Sequence, residues 1–234
     1  MTAKQTILSV QNLHVRFRTL DGIVEAVKGI NMEVRSGETI AVVGESGSGK
    51  SQTMMAATRL LAGNGEATGT IAYRGANLLA LSKAELNEIR GRRITMIFQE
   101  PMTSLDPLYT IGNQLMEPIM RHRKISHEEA RQEAVKMLKL VRIPEPERRM
   151  KSYPYEMSGG QRQRVMIAMA IANDPDLLIA DEPTTALDVT IQAEILNLMA
   201  DLRKRLGMSM IFITHDLNIV RRIADRVIEA HLAE

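Results

Sequence analysis

The chain has no cysteine, no long hydrophobic run and almost no net charge. Its 234 residues include 30 basic and 28 acidic side chains, which leaves a formal charge of +2. The lack of cysteine fits the cytosol but excludes little. No stretch approaches the ~18 consecutive apolar residues of a transmembrane helix, and Met1–Val10 lacks the apolar core of a signal peptide. The balanced charge argues against a general nucleic-acid binder.

The composition allows a substantial core. With 44% hydrophobic residues, the chain can form one large α/β domain, or a domain with an inserted lobe. Residues 1 to about 40 and Thr70–Tyr73 carry strand signals and predict a sheet. Residues 101 to about 152 contain helix-like stretches. The clearest of these, Ser126 to Val141, opens with a capping box of Ser126 and Glu129.

A glycine-rich loop connects a predicted strand to a predicted helix. Thr39–Val43 is apolar and β-branched, and residues 52–61 contain helix formers without proline. The segment between them matches the GxxxxGK[ST] pattern in the required context. Glycines let successive amide N–H groups point at one phosphate, and the helix N-terminus adds partial positive charge. The alternative is a turn that binds nothing. The loop residues predicted to bind nucleotide are Gly44, Glu45, Ser46, Gly47, Ser48, Gly49, Lys50 and Ser51.

Two side chains of this loop have distinct expected roles. Lys50 reaches the β- and γ-phosphates as a point charge, and the hydroxyl of Ser51 is a ligand for Mg²⁺. The loop therefore predicts a nucleotide triphosphate and a metal ion together.

An acidic pair follows a second buried-strand pattern. Leu177–Ala180 is continuously apolar, as expected of a strand in a parallel sheet, and ligands bind where such strands end. Asp181 is predicted to hold Mg²⁺, usually through water. Glu182 is predicted to orient the attacking water and accept its proton. The alternative is a solvated turn before Pro183.

Two further polar residues follow predicted strands. His215 comes after the strand pattern Met210–Ile213 and could hydrogen-bond a γ-phosphate oxygen, although a lone histidine is more often structural. Gln99 ends the run Ile94–Phe98, and its amide can donate to water or bind Mg²⁺ through oxygen. Taken alone, a glutamine carries almost no signal.

A second phosphate-binding pattern lies downstream. Ser158, Gly159 and Gly160 precede a helix predicted from Gln161 to Ala172. A serine N-cap with two glycines allows close approach of an anion to the helix N-terminus. The alternative is an ordinary helix start.

The order of the motifs along the chain is the phosphate loop, Gln99, Ser158–Gln161, Asp181-Glu182, Ala186-Leu187-Asp188 and His215. In this order they resemble the ATP-binding subunit of an ABC transporter, and the resemblance runs from about Val10 to Val227. The resemblance implies an α/β fold: a P-loop NTPase (RecA-like) core with an antiparallel β subdomain and an inserted helical subdomain. It implies a single ABC domain over residues 1–234, with a core of 1–100 and 169–234 and a helical subdomain of about 101–168.

The resemblance also implies roles for individual residues. Phe17 stands where the family places an aromatic side chain on adenine, although it could equally be a core residue of an amphipathic strand. Gln99 senses Mg²⁺ and touches the membrane partner, and Asp188 contacts the opposite subunit. Gln52 stands where many relatives have a threonine for the α-phosphate. The implied catalytic residues are Glu182, His215 and Lys50. The resemblance also implies a signature segment that faces the phosphate loop of the other subunit, and its residues are Ser158, Gly159, Gly160 and Gln161.

A narrower resemblance concerns cargo. Phe98–Pro107, Tyr153-Pro154 and Asp181–Thr190 are similar to segments of importers of peptides, dipeptides, glutathione and nickel. This predicts an ATPase that uses ATP and Mg²⁺ to energise peptide import, peripheral to the cytoplasmic face of the membrane. The implied partners are a second ATP-binding subunit in a head-to-tail homo- or heterodimer, two transmembrane permease subunits and, indirectly, a solute-binding protein, with no nucleic acid.

Two alternatives remain open at this point. A soluble ABC-type ATPase acting on nucleic acid or ribosomes usually has a long coiled coil or a duplicated cassette, and neither pattern occurs here. A non-hydrolysing remnant is suggested by the carboxyl end, where residues 228–234 show neither the strand pair nor the turn found in relatives. The end therefore predicts a truncated chain, a fragment of a tandem chain or a degenerate gene.

Overall fold

The computed structural model describes residues 5–45, 47–99, 104–185 and 187–230. These residues form two compact units, the first of residues 5–90 with 207–230 and the second of residues 91–206. The elements in chain order are β1 (Thr6–Thr19), β2 (Gly22–Arg35), β3 (Thr39–Val43), α1 (Lys50–Ala57), β4 (Gly65–Tyr73), β5 (Ala76–Asn77), α2 (Lys83–Ile89), β6 (Ile94–Ile97), α3 (Ile111–His122), α4 (His127–Leu140), α5 (Pro146–Arg149), a 3₁₀ turn (Pro154–Glu156), α6 (Gly159–Ile171), β7 (Leu177–Asp181), α7 (Val189–Leu206), β8 (Ser209–Ile213), α8 (Leu217–Ile223) and β9 (Arg226–Glu229).

The first unit contains an antiparallel sheet in the order β2-β1-β4-β5. It forms from the strand-rich residues identified in the sequence, so the predicted antiparallel subdomain is confirmed. Phe17 of β1 lies opposite Val24 of β2 and Gly65 of β4. This register places the aromatic ring over a residue that has no side chain.

The first unit also contains a parallel ladder in which β3 lies between β8 and β9. Every residue of β3 and β8 is buried, which explains why both strands are apolar after their first residues, Thr39 and Ser209. Val42 lies opposite Ile213, and the N–H of Thr214 donates to the carbonyl of Val42 at 3.2 Å. The carboxyl ends of β3 and β8 therefore meet at one edge, which brings the phosphate loop and His215 to the same side of the ladder.

The carboxyl end contains one strand that the sequence did not reveal. Arg226–Glu229 forms β9, which pairs with β3 from Ile40 to Val43, and the N–H of Ala230 donates to the carbonyl of Val43 at 2.7 Å. The segment is too short to show a strand pattern by itself, and its pairing with β3 determines its conformation. Residues 231–234 lie outside the described part of the chain.

An ion pair between buried Glu38 and partly exposed Arg226 attaches β9 to the start of β3. Glu38 is 6% exposed and accepts hydrogen bonds from Arg226 Nε at 2.8 Å and from the backbone N–H of Arg35 at 2.8 Å. Burial alone would raise the pKa of Glu38, but the hydrogen bonds from Arg226 and Arg35 outweigh it and lower that pKa below the ordinary value of 4.5. Ionised Glu38 is thus favoured by the fold.

We expect Glu38→Gln to lower the free energy of unfolding at pH 7 by about 1–2 kcal/mol, because it leaves Arg226 without its charged partner. Since the folded pKa is lowered, this stabilisation is present above the unfolded pKa and is lost as the pH falls through the folded pKa. Chemical denaturation of both proteins at pH 7 measures the loss of stability, and the same experiment below pH ~4 shows whether the difference between them disappears. Glu66→Gln, which removes an exposed partner of Arg18 at 3.8 Å, is the control and should change stability by less than about 0.5 kcal/mol. An equal effect of the two substitutions at pH 7 would contradict the prediction.

The second unit combines helices with a parallel strand pair, β6 and β7. The capping box predicted at the start of α4 is confirmed, with Ser126 N–H donating to Glu129 Oε2 at 2.7 Å and Glu129 N–H to Ser126 Oγ at 3.2 Å. This compact unit holds both strands as well as the helices of residues 111–171. The subdomain boundaries of about 101 and 168 stay a prediction.

Two predicted helices form with shifted ends. The helix expected over residues 52–61 is α1, which begins at Lys50 and ends at Ala57, because the positive φ of 50° at Arg59 breaks the helical path. The helix expected from Gln161 to Ala172 is α6, which begins at Gly159. Over the four described stretches, no helix has both the length and the apolar character needed to cross a bilayer.

Candidate functional site

The phosphate loop of the first unit requires glycine at two positions of close approach. A Cβ at Gly49, where φ is 80°, would lie 2.4 Å from the carbonyl oxygen of Ala26. A Cβ at Gly44 would lie 2.2 Å from the carbonyl oxygen of Ala230. Both distances are well inside contact limits, so the neighbouring backbone dictates glycine at both positions. Ser46 lies outside the described residues.

Lys50 is seated inside this loop. It is 7% exposed, and its Nζ donates to the carbonyls of Gly44 at 2.8 Å and Glu45 at 2.5 Å and to Ser48 Oγ at 3.2 Å. An ammonium group has three N–H donors, and these contacts account for all three. A phosphate oxygen must therefore replace at least one of these acceptors, and the exchange places a full positive charge against the phosphate.

The other predicted nucleotide contacts of the first unit lie on α1 or at strand ends. Ser51 and Gln52 are half-buried in the first turn of α1, and His215 is exposed directly after β8. Asp216 accepts from the N–H of Asn218 at 2.8 Å and so caps α8 beside His215. The roles of Ser51, Gln52 and His215 stay predictions.

A cavity of about 470 Å³ adjoins the phosphate loop in the first unit. Its volume lies in the range of small-molecule sites. Its walls combine apolar side chains of β2 and α1 with Lys50 at the loop. The lining includes Val24, Lys28, Asn31, Lys50, Met54 and Ile228.

Phe17 lies outside the fully buried core. Its side chain is half-buried, and a Cβ at Gly65 would lie 2.6 Å from Phe17 Cε1. The ring therefore covers Gly65 and keeps part of its surface exposed, which is compatible with stacking on a base. This weakens the alternative of a simple core residue, and the adenine contact stays a prediction.

In the second unit, the acidic pair stands at the end of β7. Asp181 is 4% exposed and Glu182 is half-buried. Glu182 has a φ of 44°, a left-handed conformation that disfavours residues other than glycine. Backbone strain of this kind is concentrated at functional sites, where the surrounding structure maintains it.

The structure brings Gln99 and Glu182 together. Strands β6 and β7 are parallel with Ile97 opposite Ala180, so both residues follow the same edge. Gln99 Nε2 donates to Glu182 Oε2 at 3.3 Å, and Thr185 Oγ1 donates to the same oxygen at 2.9 Å. The structure thus brings together two residues that the sequence placed only at the ends of separate strand patterns.

The predicted metal ligands fit an ion that binds with the nucleotide. Mg²⁺ in phosphate-transfer sites takes one or two carboxylates, with phosphate oxygens and water completing an octahedron. Asp181, Gln99 and Ser51 offer one carboxylate, one amide oxygen and one hydroxyl. In the part of the chain that the structure describes, no group of three or more His, Cys, Asp or Glu side chains could hold a metal. Each of these side chains is thus of a type that Mg²⁺ accepts beside phosphate oxygens, and their role as metal ligands stays a prediction.

The signature segment begins α6 as predicted. Ser158 is exposed, its Oγ accepts from the N–H of Gln161 at 3.3 Å, and its N–H donates to Gln161 Oε1 at 3.1 Å. A Cβ at Gly160 would lie 2.7 Å from Ile191 Cγ2, so packing against α7 already explains that glycine. A Cβ at Gly159 would meet only ordinary contact at 3.6 Å. Packing within the chain therefore does not require glycine at position 159, and the predicted phosphate contact of Gly159 stays a prediction.

Asp188 has a structural role in its own chain. Its Oδ1 accepts from the N–H of Ile191 at 3.0 Å, and its carbonyl accepts from the N–H of Gln192 at 2.8 Å, which starts α7. The predicted contact of Asp188 with an opposite subunit stays a prediction.

The interpretation of the sequence missed Thr184, Thr185 and Gln192, although two threonines directly after Asp-Glu-Pro could have indicated support for the acidic pair.

Comparisons with known proteins agree with this geometry. The sequence profile described as ABC transporter matches residues 27–185. Oligopeptide transport ATP-binding protein OppD of Haemophilus influenzae is 53% identical over 221 residues, 94% of this chain and 68% of that protein. The probable peptide ABC transporter ATP-binding protein y4tR of Sinorhizobium fredii is 52% identical over 224 residues, 95% of this chain and 67% of that protein. The chain thus spans about two thirds of the length of these relatives.

Solved structures show the same fold. The dimeric structure of the bacterial ABC transporter cassette MJ0796 matches with a TM-score of 0.83 at 30% identity, covering 96% of this chain and 94% of that one. A post-hydrolysis dimer of the same cassette with ADP and Pi matches with a TM-score of 0.84 at 30% identity and 97% coverage of both chains. The predicted P-loop NTPase α/β fold is confirmed. With the phosphate loop, the acidic pair and the signature segment each formed in the structure, the chain belongs to the ABC transporter family.

Proposed function

We propose that this chain is the ATP-binding and hydrolysing subunit of a transporter that imports peptides or peptide-like solutes. The observation that carries the proposal is the identity of 52–53% over at least 94% of the chain to ATP-binding proteins named for oligopeptide and peptide transport. A dipeptide transport ATP-binding protein of Bacillus subtilis is similar at 52% over 225 residues.

The proposed mechanism assigns one task to each group. The amides of the phosphate loop and Lys50 hold the phosphates, and Glu182 orients the attacking water and accepts its proton. His215 hydrogen-bonds the γ-phosphate. When bound, Mg²⁺ neutralises charge on the β- and γ-phosphates. Ser51, Gln99 and Asp181 are the residues proposed to hold it.

The proposed assembly contains a second ATP-binding subunit and two permease subunits at the cytoplasmic face of the membrane. The dimeric state of the similar cassettes supports the first partner, and Ser158–Gln161 with Asp188 is the surface proposed to meet it. For the permease, the second unit offers Leu108 and Tyr109, which are 80% and 55% exposed. Gln114 fixes this loop by donating to the carbonyls of Asp106 and Tyr109, both at 2.9 Å.

The test is peptide uptake by the reconstituted transporter. The chain is co-expressed with candidate permease subunits from the same organism, and the complex is placed in vesicles with ATP on the side of this subunit. We expect uptake of labelled di- or oligopeptides that requires ATP, is reduced by unlabelled peptides and is unaffected by nickel. ATP-dependent uptake of labelled nickel without any uptake of labelled peptides would reject peptide cargo. Co-purification with nucleic acid or ribosomes instead of permease would reject transport altogether.

A further inference from the structure

The carboxylate of Glu182 accepts a hydrogen bond from the hydroxyl group of Thr185. Thr185 Oγ1 lies 2.9 Å from Glu182 Oε2, closer than Gln99 Nε2 at 3.3 Å. Both donors meet the same carboxylate oxygen. A carboxylate that accepts two hydrogen bonds on Oε2 cannot rotate freely about its terminal bond, so the direction of Oε1 is set as well.

The turn that carries Thr185 is fixed to a helix through the neighbouring residue. Its N–H donates to the carbonyl of Glu182 at 3.3 Å and closes a turn over Pro183. The adjacent Thr184 is 3% exposed, and its Oγ1 accepts from Gln192 Nε2 of α7 at 3.1 Å. The turn is therefore anchored to α7 on one side and carries the strained backbone of Glu182 on the other.

We propose that Thr185 is a positioning residue for ATP hydrolysis. Its hydroxyl holds Glu182 so that Oε1 faces the attacking water. In the hydrolytic step the water oxygen bonds to the γ-phosphorus, a water proton passes to Oε1, and ADP leaves with the electron pair of the broken bridging P–O bond. This inference rests on the proposed role of Glu182 as the general base, and it adds Thr185 as the residue that orients the Glu182 carboxylate.

Exposure of the threonine makes the proposal testable. Thr185 is exposed, and surface substitutions of this kind change folding stability little. Thr185→Val keeps the shape and branching of the side chain and removes only the donor. Thr185→Ser keeps the donor and removes only the methyl group.

We expect Thr185→Val to lower kcat for ATP hydrolysis by about tenfold, equivalent to about 1.4 kcal/mol, with KM for ATP changed less than about twofold. Thr185→Ser keeps the hydroxyl group, so its kcat should stay within about threefold of the parental value. Both are measured on the full chain in its transporter complex, with melting temperatures as a check on folding. If valine impairs folding, Thr185→Ala removes the same donor without branching. Parental kcat in a folded variant without the hydroxyl would overturn the proposal.

A double-mutant cycle distinguishes orientation of the Glu182 carboxylate by Thr185 from a purely structural effect of Thr185. In the Glu182→Gln background, Thr185→Val should cause no further loss of single-turnover hydrolysis, because the base it aims is already absent. An equal loss in both backgrounds would show a merely structural role. If Glu182→Gln alone keeps the parental rate, the proposed function of Glu182 fails. If Glu182→Gln loses activity while Thr185→Val does not, only the present inference fails.

Discussion

Replacing Glu182 by glutamine is expected to slow ATP hydrolysis at least ~10²-fold while ATP still binds, as for removal of one preorganised catalytic group. The substituted side chain has the same shape, and its amide oxygen can still accept from Thr185 and Gln99, which both contact Oε2 in the structure. A neutral amide cannot accept the proton of the attacking water. The loss should therefore appear in kcat and leave nucleotide affinity close to that of the parent.

Phosphate release gives the rate, and equilibrium titration with a fluorescent ATP analogue gives the affinity. Glu128→Gln is the matched control, because Glu128 is 65% exposed at the start of α4 and pairs only loosely with Arg131 at 3.7 Å. That variant should hydrolyse ATP at the parental rate. Hydrolysis at the parental rate by Glu182→Gln would show that Glu182 is not the base.

The parts of the fold that local patterns determine could be predicted from the sequence. The buried strand Thr39–Val43 was predicted with its observed bounds, and the predicted Leu177–Ala180 extends by one residue to Asp181. Both are continuous apolar runs because parallel strands are covered on two faces. The capping box of Ser126 and the N-cap position of Ser158 were also readable, since both depend on residues that are close together in the sequence.

The parts that depend on distant partners could not be predicted. Strand β9 shows no strand pattern of its own. It forms because the edge of β3 provides backbone hydrogen-bonding partners and because Glu38 provides an ionic partner for Arg226. The end of α1 depends on a single positive φ at Arg59. These features arise from tertiary contacts, which override local propensity.

The candidate site divides in the same way. Residue types and spacing identified Lys50, Asp181 and Glu182, because phosphate and proton chemistry require those groups after strand ends. The positive φ of Glu182 and the hydrogen bond from Thr185 could not be predicted, since both follow from the path of one turn between β7 and α7. The sequence therefore predicts which groups react, whereas the contacts of Glu182 could be found only from the geometry of the turn.

Replacing Lys50 by alanine is expected to raise the Kd for ATP by at least about 100-fold, equivalent to about 2.7 kcal/mol. Two losses contribute. The charge that meets the phosphates disappears, and a charge-assisted hydrogen bond is worth about 1.5–3 kcal/mol. The carbonyls of Gly44 and Glu45 also lose the donor that they share in the free loop, so the loop no longer has the shape that presents its amides.

Titration with a fluorescent ATP analogue measures this change, and Lys83→Ala is the control. Lys83 is exposed in the first turn of α2 in the same unit, so its removal changes the net charge equally but leaves the loop intact. The control should bind with the parental Kd at physiological salt, because exposed charges are screened over about 8 Å. If both variants weaken binding alike, general charge rather than a seated lysine holds the nucleotide. If Lys50→Ala binds as tightly as the parent, the segment 44–51 is a glycine-rich turn that does not bind the triphosphate.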